Sequence, residues 1–154
     1  MRRQNYEQKI MSKIKDILSK YKSIAMIGVS NDPTKASTIV MKYMQNYGFK
    51  VYPVNPSAKG QKILGEEVFA KITDIKEPVD IVDVFRPSRE VLDIAKDTVN
   101  IGAKVLWLQL GIRNEEAKKI IKENKIEYIE DKCTKMEYQK HFLKVRQAFP
   151  VLQS

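Results

Sequence analysis

Short apolar runs alternate with amphipathic segments along most of this chain, and the alternation restricts the possible folds. Five runs have strand length and are rich in Val, Ile and aromatic residues. They cover residues 23–29, 49–55, 80–85, 104–109 and 126–130. Apolar residues recur at helical spacing in three of the segments between runs. These segments join the first run to the second, the third to the fourth, and the fourth to the fifth. Because parallel strands need long crossovers, this pattern predicts a mainly parallel sheet with helices on both faces.

The predicted helices complete an α/β arrangement. They cover residues 5–20, 37–48, 87–102, 113–124 and 134–147. Right-handed crossovers then favour a Rossmann-like, doubly wound, five-stranded sheet with additional N-terminal and C-terminal helices. We find no repeat, low-complexity stretch or linker, so we expect residues 1–154 to form one domain. Its core would span about 20–140, with an N-terminal amphipathic helix within residues 1–20.

The charge balance is strongly basic and raises the question of nucleic acid. The chain has 28 Lys and Arg against 19 Asp and Glu, a net charge of +9. Much of the excess lies in helix-like segments, where lysines alternate with glutamates as on a solvated surface. There is no recognition motif and no alternation of aromatic and basic residues that would stack bases. We therefore expect no nucleic-acid partner as the main role.

Other bulk features favour a cytoplasmic protein. The single cysteine excludes an internal disulfide, and one cysteine with one histidine is too few for a structural zinc site, so we expect no metal. No apolar run is long enough to span a bilayer, and the N-terminal arginines are not followed by the apolar stretch of a signal peptide. We expect a cytoplasmic location without membrane contact.

The loop after the first predicted strand has the residue types that bind phosphate. Gly28 allows close approach of the backbone, and Lys35 adds a positive charge. Hydroxyls come from Ser30, Ser37 and Thr38, next to a predicted helix N-terminus. The alternative is structural, because glycine also serves tight turns and serine commonly caps helices.

The end of the second predicted strand discriminates between nucleotide ligands. An NAD site usually has an acidic residue there, which accepts a hydrogen bond from the ribose. This chain has Asn55 and Pro56, with Lys59 nearby and no acid before Glu66. The pattern favours a ligand with a further ribose phosphate, such as NADP or coenzyme A. Lys59 could equally be a solvated loop residue.

The third and fourth strand ends should meet the same crevice, because ligands of parallel sheets bind beyond the carboxyl ends of the strands. Phe85 provides an apolar surface at the end of the third strand, and Gln109 ends the fourth. Arg86 has two interpretations: it serves a phosphate, or it only pairs with Asp83.

No catalytic arrangement is visible in the sequence. The only histidine, His141, falls in the last predicted helix, away from the strand ends. Cys133 has no histidine partner nearby, and Asp80 and Asp83 should face opposite sides of their strand. We therefore expect no enzyme and no catalytic residues.

Several motifs resemble those of a known family when they are taken together. They are Ile27-Gly28-Val29-Ser30, Tyr52-Pro53-Val54-Asn55-Pro56, Val82-Asp83-Val84-Phe85, Trp107-Leu108-Gln109 and Asp131-Lys132-Cys133. The chain resembles the small stand-alone CoA-binding proteins, relatives of the N-terminal CoA-binding domain of the succinyl-CoA synthetase alpha subunit. The resemblance extends over about residues 20–140.

The resemblance implies a Rossmann-type fold that binds coenzyme A. By position, Gly28, Ser30 and Lys35 would hold the phosphates. Residues 55–56 would flank the adenosine end, and residues 85–86 would border the path of the pantetheine arm.

The implied function is binding of coenzyme A or acyl-CoA without catalysis, as a carrier, sensor or regulator. Synthetase chemistry needs a phosphorylated histidine from a further domain, and no histidine of this chain stands in its place. The alternatives are an NADP-binding oxidoreductase-like protein and an adaptor that uses the basic surface for nucleic acid or protein. The apolar faces of the terminal helices leave room for a homodimer. If Cys133 lies near the ligand thiol, oxidation would form a mixed disulfide with coenzyme A.

Overall fold

The structure is a computed structural model that describes residues 2–143. Its strands are β1 (Ser23–Ile27), β2 (Lys50–Val54), β3 (Lys62–Ile63), β4 (Glu66–Glu67), β5 (Ile81–Val84), β6 (Val105–Leu108) and β7 (Glu127–Ile129). Five of them form one sheet in the order β2-β1-β5-β6-β7, and every pairing in it is parallel. The prediction of a parallel five-stranded α/β sheet is confirmed.

Helices cover both faces of this sheet. They are α1 (Arg2–Lys20), α2 (Ala36–Asn46), α3 (Val91–Asn100), α4 (Glu115–Glu123) and α5 (Thr134–Tyr138). One apolar cluster joins α1, α2 and the residue before α5 to one face, where Ile14, Met41 and Trp107 are completely buried. A second cluster joins α3 and α4 to the other face through Ala95 and Ile121.

The strands lie inside the protein because nearly all of their residues are apolar. Every residue of β5 and β6 is buried, as expected for the centre of a parallel sheet that is covered on both faces. α1 is amphipathic and buries Ile14, Ile17 and Leu18. Each fully buried side chain of this size contributes about 1.5–3 kcal/mol.

The segment over residues 57–77 is more ordered than the sequence predicts. β3 and β4 pair as a short antiparallel hairpin, and Leu64 and Gly65 at its tip have φ angles of 50° and 83°. Two-residue strands are too short for a periodic signal, so sequence patterning could not find them. Val68 is buried and Phe69 forms a parallel bridge to Val54, so apolar residues anchor the end of this segment to the sheet.

The last predicted helix changes its geometry part-way. α5 ends at Tyr138, and a π-helical turn continues over Gln139–Leu143. The rings of Tyr138 and Phe142 stack across this turn, with their centroids 4.7 Å apart. The remaining predicted residues, 144–147, lie outside the described part of the chain. Within the described residues, no helix is long and apolar enough to cross a membrane.

Candidate functional site

The strand order makes the loops that follow β1 and β5 the topological switch point of the sheet, where open parallel sheets bind their ligands. The chain leaves β1 for β2 on one side and later returns to β5 on the other, so the two loops diverge. Before they diverge, the loops after β1 and β5 contact each other at Gly28, which has a φ of +94°. A Cβ atom there would lie 3.0 Å from Cδ of Arg86 and 3.3 Å from Cβ of Phe85. Glycine is therefore required by the backbone conformation and by the close contact with the β5 loop.

Hydrogen bonds of hydroxyl groups hold the loop after β1 in its conformation. The Ser30 N–H donates to Oγ of Ser37 at 3.1 Å, and the Thr38 hydroxyl donates to the Ser30 carbonyl. The Ser30 hydroxyl in turn accepts from the Asp32 N–H at 3.0 Å. Ser37 and Thr38 are buried. The Ser37 and Thr38 hydroxyls thus hold the loop against the start of α2, and the Ser30 hydroxyl closes a turn within the loop.

The N-terminus of α2 is left without a cap. Lys35 occupies the N-cap position, no side chain caps the helix, and its first turn contains no acidic residue. The first helical hydrogen bond runs from the Ile39 N–H to the Lys35 carbonyl at 3.1 Å. Among the described residues, the N–H groups of residues 36–38 have no hydrogen-bond acceptor. These N–H groups and the helix dipole favour an anion.

The helices after β5 and β6 start differently. α3 has Glu90 at its N-cap position and Asp93 in its first turn. α4 is capped by Asn114, whose Oδ1 accepts from the Ala117 N–H at 2.9 Å, and residues 115–116 are both glutamates. Carboxylates therefore offset the dipoles of α3 and α4 and leave that of α2 available to a ligand.

The Asn55 amide joins the ends of β1 and β2. Its Nδ2 donates to the Val29 carbonyl at 2.9 Å, and its Oδ1 accepts from the Ser57 N–H at 2.9 Å. Pro56 begins a 3₁₀ turn over Pro56–Ala58, and Lys59 follows with an exposed side chain. Asn55 thus builds the strand end with both polar atoms of its side chain, whereas Lys59 remains accessible.

Arg86 pairs with a residue that the sequence analysis did not consider. Its Nε and Nη2 donate to the two carboxylate oxygens of Glu90 at 2.9 and 2.8 Å. The proposed alternative partner, Asp83, has hydrogen bonds to other residues, so that interpretation of Arg86 was wrong. Phe85 is half-buried against the core. The hydrogen bonds from Arg86 lower the pKa of Glu90.

Asp83 is a completely buried carboxylate, and the sequence analysis missed its role. Gln109 Nε2 donates to its Oδ1 at 2.7 Å, and the Thr134 hydroxyl donates to its Oδ2 at 3.0 Å. Burial raises the pKa of Asp83 to about 7, although these bonds act in the opposite direction. The Gln109 side chain, expected at the ligand, is buried in this network. The available signal was an acid flanked by apolar residues in the middle of a predicted strand.

Cys133 is buried at the N-cap position of α5. Desolvation raises the pKa of its thiol, so the reactive thiolate is scarce near neutral pH. A wide groove of about 990 Å³ lies elsewhere, between α1 and the edge formed by α4 and β7. None of the predicted site residues lines it.

A protein family described as CoA binding domain matches residues 22–139 of the chain. The chain belongs to this family. The uncharacterized protein YneT of Bacillus subtilis is 38% identical over 125 residues, which are 81% of this chain and 91% of that protein. The structure of cell-free ID.343 from Thermus thermophilus has a TM-score of 0.82 and 37% identity, covering 86% of this chain and 98% of that one. These similarities confirm the Rossmann-like fold and the family resemblance.

A domain of larger ligases is also similar to this CoA-binding domain. The alpha subunit of ADP-forming acetate–CoA ligase I from Pyrococcus furiosus is 31% identical over 106 residues. The alignment covers 64% of this chain but only 23% of that subunit. The chain is thus homologous to one domain of a CoA ligase.

The predicted site residues fall into two groups. Gly28 lies against Arg86 where the β1 and β5 loops meet, and hydrogen bonds join Ser30 to Ser37 and Thr38. The side chains of Ser37, Thr38 and Asn55 hold the loops after β1 and β2 in place, whereas Gln109 lies in the buried network of Asp83. The three cations reach solvent: they are Lys35, Lys59 and Arg86.

Proposed function

We propose that this chain binds coenzyme A or an acyl-CoA at the switch point between the β1 and β5 loops, as a carrier, sensor or regulator. The observation that carries the proposal is the uncapped N-terminus of α2 next to Gly28. Within residues 2–143, three N–H groups at this helix end have no acceptor, and together with the positive charge of Lys35 they provide what a pyrophosphate requires. Membership of the CoA-binding domain family supports coenzyme A as the ligand.

The second strand end supports coenzyme A over NAD. Residues 55–65, which follow β2, contain no carboxylate to accept a bond from a ribose hydroxyl. Lys59 is exposed there and carries a charge that suits the ribose phosphate of coenzyme A. NADP has a ribose phosphate too, so it is the most informative competing ligand.

We further propose that binding occurs without turnover. Within residues 2–143, Asp83 is buried and hydrogen-bonded, and Cys133 is buried in the protein. The side chain of His141 is almost buried and lies 3.5 Å from Glu137, on the turn after α5. None of these groups adjoins the uncapped end of α2 in the contacts of the structure.

A ligand panel tests the proposal directly. Thermal unfolding is followed with coenzyme A, acetyl-CoA, NAD and NADP, and the supernatant of denatured protein is examined for coenzyme A by mass spectrometry. We expect stabilisation by the two CoA compounds only. Stabilisation by NADP alone would support the oxidoreductase-like alternative, and salt-sensitive RNA binding without any ligand shift would support the adaptor.

A charge reversal tests the site. Lys35→Glu removes a cation and places a carboxylate at the α2 N-terminus, so we expect CoA affinity to fall by about tenfold or more in calorimetry. Lys42→Glu is the matched control, because it changes the net charge equally two turns further along the exposed side of α2. Equal affinities of the two variants would contradict the site assignment.

The cytoplasmic location and the homodimer remain proposals. Light scattering with and without coenzyme A tests the second, since a homodimer would have twice the mass of 17.8 kDa.

A further inference from the structure

Arg86 is the cation that the fold places against the proposed phosphate site. Its Cδ and Cγ lie 3.0 and 3.4 Å from the position that a Cβ on Gly28 would take. Two residues further along, Ser30 is tied to Ser37 and Thr38 in the first turn of α2. Arg86 therefore lies against the same loop that the hydroxyls of Ser37 and Thr38 hold at the start of α2.

Glu90 occupies the guanidinium of this arginine. The pair is bidentate, with distances of 2.9 and 2.8 Å, and joins the β5 loop to the start of α3. Both side chains are partly exposed, at 46% for Arg86 and 37% for Glu90. Exposed ion pairs are weak because water screens them, so an incoming anion can replace the carboxylate.

We propose that Glu90 is a specificity-determining residue of this site: a phosphate-bearing ligand gains Arg86 only by displacing Glu90 from the bidentate pair. The inference rests on the proposed function. Displacement of Glu90 costs binding free energy, and the charge of the ligand determines whether its attraction to Arg86 offsets that cost. A ligand with several phosphate charges attracts the guanidinium strongly enough to open the pair, whereas a weakly charged ligand does not. Glu90 thereby favours polyphosphate ligands.

Removal of the Glu90 charge tests this role. In Glu90→Gln, Arg86 loses its ionic partner and is free for the ligand. We expect calorimetry to show CoA binding about threefold to tenfold tighter than in the unmodified protein. Asp93→Asn is the matched control, because it also removes one negative charge from the start of α3 but has no bond to Arg86. We expect its affinity to change by less than about twofold.

A double-mutant cycle shows whether the effect acts through Arg86. Arg86→Gln alone should weaken CoA binding about tenfold. In the Arg86→Gln background, Glu90→Gln should then give no gain in affinity. A gain that persists without Arg86 would mean that Glu90 acts only by general repulsion, and would overturn the proposal.

A decrease in the CoA affinity of Glu90→Gln would overturn the proposal too. If Glu90 merely supports the loop, Glu90→Gln will weaken CoA binding or match Asp93→Asn. If the unmodified protein and all variants fail to bind CoA, the proposed function itself is wrong, and this inference falls with it. The two failures are therefore distinguishable by the affinity of the unmodified protein.

Discussion

The buried Asp83 carboxylate should make the stability of this protein depend on pH in an unusual direction. Its pKa rises from 3.8 to about 7 in the folded state, mainly through desolvation. Between about pH 4 and pH 7, the Asp83 carboxyl is therefore protonated in the folded state and ionised in the unfolded state. By linkage, the free energy of unfolding falls as pH rises through this window and levels off above pH 7.

The pKa shift gives the size of the effect. A shift of about three units corresponds to about 4 kcal/mol, with a slope of at most about 1.4 kcal/mol per pH unit. Asp83→Asn keeps the shape and an oxygen for the Gln109 bond, but it has no charge to desolvate. We expect the variant to be about 1.5–2 kcal/mol more stable than the unmodified protein at pH 5 and about 4 kcal/mol more stable at pH 8.

Urea denaturation from pH 5 to 8 measures this difference. The single tryptophan, Trp107, is completely buried and provides the fluorescence signal. Burial lowers the pKa of His141, so its contribution has the opposite sign, with stability rising toward pH 6.5. That contribution cancels when the variant is subtracted from the unmodified protein. Asp80→Asn, at a partly exposed position, controls for the loss of a carboxylate. A difference that stays constant across the pH range would refute the reasoning.

Two further outcomes follow from the geometry of single residues. Gly28→Ala forces a left-handed backbone onto alanine and brings its Cβ to 3.0 Å from Arg86, so urea denaturation should show a loss of about 1–3 kcal/mol; unchanged stability would contradict the fixed loop geometry. Cys133 should form a mixed disulfide with CoA disulfide only slowly at pH 7, because its thiol is buried and has a raised pKa. Intact-mass spectrometry checks this, and a rapid stoichiometric adduct would show that the thiol opens to solvent.

The strands and helices could be predicted because each central strand is apolar on both faces. The predicted bounds 80–85 and 104–109 exceed β5 and β6 by one residue at each end. The periodic signal is absent in the β3–β4 hairpin, where the strands have two residues each. Sequence patterning thus detects long buried elements and misses those that depend on a few backbone bonds.

The site was harder to predict, since residue type does not reveal which partner a polar group selects. Ser30 has a hydroxyl that suits phosphate, but the same hydroxyl suits the Asp32 N–H of its own loop. Arg86 and Glu90 have the i,i+4 spacing of helical ion pairs, yet Arg86 precedes the predicted helix, where this spacing does not indicate a pair. Only the folded geometry decides between such partners.

Some site residues hold the loops in place, and others expose charged side chains to solvent. This difference has a consequence for binding. If hydroxyls and amides shape the loop, ligand affinity must come from backbone N–H groups and from exposed cations. Replacing Ser37 would then reduce stability and affinity together, because the loop would lose its bond to Ser30. Replacing Lys35 would reduce affinity alone, because its side chain caps nothing in the fold. Substitution of a surface charge such as Glu90 can therefore change the ligand preference without disturbing the loop conformation that the buried groups maintain.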